Sequence, residues 1–327
     1  MTDAAAAQRS SLLSMKLVAL VRDHTGTADV RPAEGFGGGA AALVDGAAWV
    51  LLDAQPERGL GAALAWALRR DATSLHVLAE RATGHLARRA VGFAFPISVW
   101  HVEGRTLLPA IAEPVPTAPS LAPAHREWWH TIVEAGALPV VEHGVLAGEV
   151  EGLEVCRVVD DADTGAVRLE VGVGAHDRET FQLLHGDRPT AESLADVVRS
   201  VAAHRQPGAA RHPLNLLAQE RALRAQLVAN PSLIGASDVR PAEPPTARQN
   251  LKDAVPCVAT AVVDGAPVVV VCSSGVDIDV VPFAVDARAV LGIAECRVVV
   301  PSRDALDIQV RLGAVAQPPI TIVALNP

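Results

Sequence analysis

The twelve residues AALVDGAAWVLL at 41–52 return as TAVVDGAPVVVV at 260–271. In each copy a two-residue Asp-Gly loop separates two apolar runs. Asp-Gly accepts the positive φ that both central positions of a type I′ turn demand, so each copy is expected to fold back as a β-hairpin. The elements after each hairpin are also alike. GLGAALAWALRR places Leu60, Leu64 and Leu68 on one helical face, SLHVLA reads as a strand, ATGHLARRA as a short helix and ISVWHVEG as a strand. After the second hairpin, VPFAVDARAVLG reads as a helix, and ECRVVVP and PPITIVAL as strands. The expected fold class is therefore α/β, with α+β as the other arrangement of the same elements. It carries duplicated ββαβ-type lobes flanking a middle α/β lobe.

Two proline-rich stretches set the expected boundaries. PAIAEPVPTAPSLAP (109–123) and NPSLIGASDVRPAEPP (230–245) suit neither a regular helix nor a central strand. They leave an N-terminal α/β lobe at 1–110, a middle lobe at 120–230, and a C-terminal α/β lobe at 246–327 that resembles the first. The middle lobe reads as a helix ending at Gly136, a strand hairpin (LEVCRVV and AVRLEVGVG joined by DDADTG), and three helices. Those helices are HDRETFQLLHG, TAESLADVVRSVAAHR and NLLAQERALRAQLVAN.

Charge narrows the partners. The net charge of -9 argues against a general nucleic-acid coat or an anionic-membrane binder. Positive charge is nevertheless concentrated locally. Between 199 and 224, Arg199, Arg205, Arg211, Arg221 and Arg224 stand with His204 and His212 against the single acid Glu220. These arginines are the candidate nucleic-acid contacts, and solvated helix faces are the other use of such a run. No apolar run is long enough to span a bilayer, and the N-terminus lacks the layout of a secretory signal. The four cysteines form no CxxC pair, which excludes a zinc knuckle or a thioredoxin motif. A cytoplasmic setting with reduced thiols is expected. Setting Val263 opposite Ala266 in the second hairpin sets Cys257 opposite Cys272, so two neighbouring free thiols are expected there.

The stretch RLEVGVGAHDRE (168–179) carries the chemistry that stands out. Val155, Val159, Leu169, Val171 and Val173 are all odd-numbered, which groups them on one strand face. The same parity groups Glu154, Cys156, Arg168 and Glu170 on the other. With position 156 opposite 170, Glu154 and Glu170 become diagonal neighbours, roughly 7–8 Å apart at the backbone. Two carboxylates so placed can share a divalent metal with waters, and His176 and Asp177 stand at the helix entry. Glu154, Glu170 and His176 are thus the candidate catalytic residues, and Glu154 and Glu170 the candidate metal ligands. The competing use is a strand face whose acids pair with arginines.

An acid on each strand of a hairpin, followed by a helix, resembles in outline the restriction-endonuclease-like nucleases over residues 153–182. The resemblance implies a divalent metal cofactor and a nucleic-acid partner. That family's second strand carries an acid, any residue, then usually lysine. Here the triplet is Glu170-Val171-Gly172, and Arg168 and Arg178 are the cations nearby. Other motifs are incomplete. GVGAHD has Asp177 where a dinucleotide loop needs its third glycine, and DDADTG lacks the later glutamate of a calcium loop. In the first lobe, Asp45 and Asp53 stand at opposite ends of a strand, roughly 26 Å apart, too far for one ion. Three functions follow: a nucleic-acid-associated protein with a nuclease-like acid pair, a non-enzymatic structural or interaction protein, and a small-molecule enzyme with a site between lobes. Whether the chain is an enzyme turns on the state of Glu154 and Glu170.

Overall fold

The computed structural model describes residues 3–33, 36–161, 164–174, 177–178, 189–206, 212–248 and 254–326. Apart from Asp177 and Arg178, the helix expected at 176–186 lies outside the described residues. The fold is α/β, with three sheets among the described residues. The chain forms two compact units. The first is Met1–Val115 with Asp277–Asp286 and Leu306–Ile322; the second is Pro116–Val276 with Ala287–Ala305 and Val323–Pro327. The division at Val115 falls in the first proline-rich stretch, and the second stretch lies within the second unit.

The chain begins with α1 (Asp3–Thr25), β1 (Pro32–Ala33), β2 (Gly39–Val44), β3 (Ala47–Leu52), α2 (Leu60–Leu68), β4 (Ser74–Ala79), α3 (Thr83–Ala90), β5 (Ile97–Glu103) and β6 (Thr106–Pro109). Its six-stranded sheet runs in sequence order from β1 to β6. Asp45 (φ 49) and Gly46 (φ 81) make the hairpin turn, so Val44 opposes Ala47. The connections through α2 and α3 then set β3, β4 and β5 parallel. One core forms where Leu17, Leu20 and Val21 of α1 meet Ala42, Trp49, Leu51 and Leu78 of the sheet. Strand alternation sends Ala48, Val50 and Leu52 to the opposite face, where Gly59, at the start of α2, has room only for hydrogen beside Leu52.

The chain continues with α4 (Pro123–Arg126), α5 (Trp129–Glu134), β7 (Leu138–Glu142), β8 (Val145–Val150), β9 (Leu153–Asp160), β10 (Val167–Val171), α6 (Thr190–Arg205) and α7 (Gln219–Ala229). Next come β11 (Asp238–Ala242), β12 (Cys257–Val263), β13 (Ala266–Cys272), α8 (Val280–Leu291), β14 (Cys296–Pro301), α9 (Asp307–Val315) and β15 (Thr321–Leu325). Strands β7 to β10 form an antiparallel meander in the order β10-β9-β8-β7. Its core gathers Ile132, Leu146, Val155, Leu169 and Val171 with Leu194 and Val198 of α6. The last sheet runs β11-β12-β13-β14-β15, and β13 pairs parallel to β14.

The first and last sheets share a topology over their leading strands. A short antiparallel strand precedes an Asp-Gly hairpin, and a helix then leads to a parallel strand. Ala47 opposes Ser74 and Val269 opposes Cys296, 27 residues on in both sheets. The leading strands β1 and β11 also fall within the same hexapeptide, DVRPAE, at 29–34 and 238–243. In the second hairpin Val263 opposes Ala266 and Cys257 opposes Cys272, as its two-residue turn requires.

The register between β9 and β10 differs from the expected one. Cys156 opposes Val171, and Glu170 opposes Arg157. The cause is burial on both faces of β9, where Leu153, Glu154, Val155, Cys156 and Val158 are all buried. The odd-numbered valines therefore did not define a single core face. With the pairing shifted by one residue, Glu170 shares its strand face with Arg157 rather than with Glu154.

The α1 core predicts a clear contrast in stability. Leu17→Ala should cost about 3 kcal/mol, since the side chain is fully buried. Leu12→Ala on the exposed side of the same helix should cost under about 0.5 kcal/mol. Urea unfolding of the two variants measures both.

Candidate functional site

The meander places the predicted acids among arginines. Glu154 is buried in β9. It accepts two hydrogen bonds from Arg157, Nε to Oε1 at 2.9 Å and Nη2 to Oε2 at 2.8 Å. A third comes from Arg178 Nη1 at 2.8 Å. Glu170 accepts from Arg168 Nη2 at 2.9 Å and from Arg178 Nε at 3.3 Å. The guanidinium of Arg178 thus lies between the two carboxylates that the sequence proposed as metal ligands. The hydrogen bonds that Arg157 donates to Glu154 are the main cause that raises the Arg157 pKa above its usual value. Three cations serve two acids, so an entering divalent ion would first have to displace a guanidinium. His176, the third candidate catalytic residue, lies outside the described residues.

A second cluster joins α7 to the meander. Arg224 is 1% exposed and donates from Nη1 to Glu142 Oε1 at 2.7 Å, and from Nη2 to both oxygens of Glu149 at 3.0 Å. Arg221, one helical turn earlier, also pairs with Glu142 and Glu149. Burial pushes the Glu149 carboxyl up, but Arg224 and Arg221 outweigh it and hold the group below its usual value. Burial likewise opposes the charge on Arg224, and Glu149, Cys257 and Glu142 raise its pKa well above the usual value. Arg248 is half-buried, and burial with the charge of Arg221 lowers its pKa.

The arginines proposed as phosphate contacts therefore part company. Arg221 and Arg224 are buried in ion pairs and give no surface to phosphate. Arg205 is half-buried and donates to the carbonyls of Leu214 (2.7 Å) and Leu217 (3.0 Å), closing the turn before α7. Arg199 is exposed and pairs with Asp196 on its own helix. Arg211 lies outside the described residues. Glu142 and Glu149 escaped the sequence reading. Their signal was the spacing of Arg221 and Arg224, which puts two guanidinium groups on one helical face in need of acids.

The first unit has a comparable cluster. Arg89 of α3 is buried and donates to Asp279 Oδ2 and Asp286 Oδ2, both at 2.8 Å. Arg88 reaches Asp286 Oδ1 at 2.9 Å. Asp279 Oδ1 also accepts the Gly61 N–H at 2.9 Å. Burial pushes the Asp279 carboxyl up to about 6 against the pull of Arg89, and burial brings the His85 imidazole down to about 4. The four cysteines are free and buried. Among the described residues, no group of three or more His, Cys, Asp or Glu side chains could hold a metal ion, and no helix is long and apolar enough to cross a membrane.

The pH dependence of the Glu149 cluster follows from its sign. The carboxyl is held below its usual value of 4.5, so its stabilisation is present above that value and fades as acid titrates the folded group. Glu149→Gln should remove about 3 kcal/mol at pH 7, because two buried guanidinium groups lose a shared anion. The variant should then lose less stability than wild type between pH 5 and the acid limb, by about the same amount, in urea titrations at stepped pH. Comparison of the chain with protein-family models, with curated proteins and with solved structures returned no match.

Proposed function

We propose that this chain is a non-enzymatic interaction protein built from α/β modules. The observation that carries this reading is the state of the acids. Glu154 and Glu170 are neutralised in place by Arg157, Arg168 and Arg178, and Glu142 and Glu149 by Arg221 and Arg224. Groups engaged in this way set architecture, since opening a buried pair leaves an uncompensated charge in a poorly solvated place. Large apolar side chains left in solvent suit an interaction role. Trp129 and Val133 are exposed one turn apart on α5. The four free thiols fit a reducing cytoplasm.

The nuclease-like reading ranks below this one. It needs a metal to enter between Glu154 and Glu170, where Arg178 already sits, and it loses Arg221 and Arg224 as phosphate contacts. The test is a thermal melt with and without Mg²⁺ or Mn²⁺, run beside anisotropy titrations with labelled single- and double-stranded oligonucleotides. The interaction reading expects wild type and Glu170→Gln to respond alike to metal, and no binding that weakens steeply with salt. A metal-dependent rise in melting temperature confined to wild type, with salt-sensitive oligonucleotide binding, would restore the acid pair as a catalytic candidate.

A further inference from the structure

The first unit holds a cleft that the interaction reading does not use. Leu52 and Ala79 are paired at the ends of the parallel strands β3 and β4. Asp53 and Glu80 therefore leave the sheet side by side. The carboxyl ends of parallel strands are where ligands gather in open α/β sheets, because the loops there diverge toward the following helices. A small cleft of about 80 Å³ opens at this point. Leu13, Leu51 and Pro56 line it with apolar surface, and Lys16, Asp53, Glu80 and Arg81 line it with charge.

The charges form two cross-element ion pairs. Arg9 of α1 donates from Nε to Asp53 Oδ2 at 3.0 Å, and Lys16, two turns along the same helix, pairs with Glu80. Both pairs are open to solvent: Arg9 and Asp53 are 57% and 32% exposed, Lys16 and Glu80 35% and 65%. Exposed pairs of this kind are worth little and exchange partners cheaply. They differ in this from the buried pairs of Glu154 and Glu149.

The fold does not demand charge here. At the offset that aligns the two hairpin sequences, Asp53 and Glu80 fall on Cys272 and Val299. Those two residues oppose each other in the last sheet and are fully buried. The same strand ends are thus apolar in one copy and charged over an open cleft in the other. The loops leaving β3 and β4 also each hold a non-glycine residue in the left-handed region, Gln55 (φ 47) and Ala82 (φ 58). Such strain is kept where a loop's shape matters for binding.

We propose that this cleft binds a small zwitterion with an apolar body, the chemical class of a free aliphatic amino acid. The ligand's ammonium takes Asp53 and Glu80, and its carboxylate takes Lys16 and Arg9. Its side chain covers Leu13, Leu51 and Pro56. Binding exchanges two weak protein pairs for two ligand pairs over a partly desolvated floor. The site gives an interaction protein a small-molecule input, and it stands independently of what the second unit does.

The test is calorimetric titration of the full chain with L-alanine, L-leucine and L-methionine. Isovalerate and isoamylamine serve as the anion-only and cation-only halves of leucine, and MgCl₂ as a cation control. Saturable binding is expected for at least one amino acid, about tenfold or more tighter than for either half-molecule. Asp53→Asn and Lys16→Met should each weaken it about tenfold or more while keeping the wild-type circular dichroism, since their native pairs are exposed. Glu80→Gln replaces Asp53→Asn if the latter fails to fold. Absence of saturable binding for all three amino acids overturns the proposal. So does equal binding of the half-molecules, unchanged affinity in the folded variants, or binding of Mg²⁺ in place of the zwitterions.

Discussion

The guanidinium of Arg224 ties the second unit together. It reaches Glu142 on β7, Glu149 on β8 and the carbonyl of Val258 on β12, at 3.1 Å for the last. One side chain on α7 is thereby bonded to both sheets of that unit. The helix must lie close to the strands for this to happen, and the backbone allows it. Gly152 (φ 74), at the turn between β8 and β9, lies where a Cβ would stand 2.2 Å from the Arg221 carbonyl carbon. Any larger residue would push α7 away and stretch the pairs of Arg221 and Arg224. Nearby, the thiol of Cys257 donates to the Glu220 carbonyl at 3.2 Å, a further link between β12 and the start of the same helix.

Such a clamp matters more in this chain than in one with a bulkier core. Only 3% of the residues are aromatic, and the cores are largely Ala, Val and Leu. Alanine and valine bury little area each and fit many registers equally well, so the apolar contacts alone define position weakly. Buried ion pairs add direction, because a guanidinium offers its donors in a fixed fork. The first unit uses the same device. Arg89 joins α3 to Asp279 and Asp286 while Asp279 also accepts the N–H that starts α2. The carboxyl of Asp279, pushed up to about 6, records how strongly burial opposes charge there and how much of that opposition Arg89 offsets.

The hairpins were legible in the sequence because Asp-Gly fixes a two-residue turn, and the turn fixes every pairing that follows, down to Cys257 opposite Cys272. The β9–β10 register was not legible. Six residues, 161–166, separate the two strands in sequence, and both faces of β9 are buried, so neither the connection nor the alternation of valines set the pairing. The arginine run at 199–224 was visible as charge, but burial is a tertiary property. Nothing local separates Arg224, inside, from Arg199, outside. Asp53 was visible as an acid at a strand end. Its neighbour Glu80 arrives only through a parallel pairing offset by 27 residues, and Lys16 only through the packing of α1 on the sheet.

Exposure, rather than the number of acids, decides which of these groups can meet a ligand. Glu154 with its two arginines and Glu149 with Arg224 sit where losing a partner costs several kcal/mol, about 3–5 for a buried pair. A ligand would have to supply that before gaining anything. Asp53 with Arg9 and Glu80 with Lys16 sit half in water, where a pair is worth about 0–1 kcal/mol. Nearly all of the interaction with an incoming charge is then available as affinity. The sequence set its candidate chemistry on the two strands with the densest charge. The cost of desolvation makes those charges the frame of the second unit and leaves exchangeable ones at the open strand ends of the first.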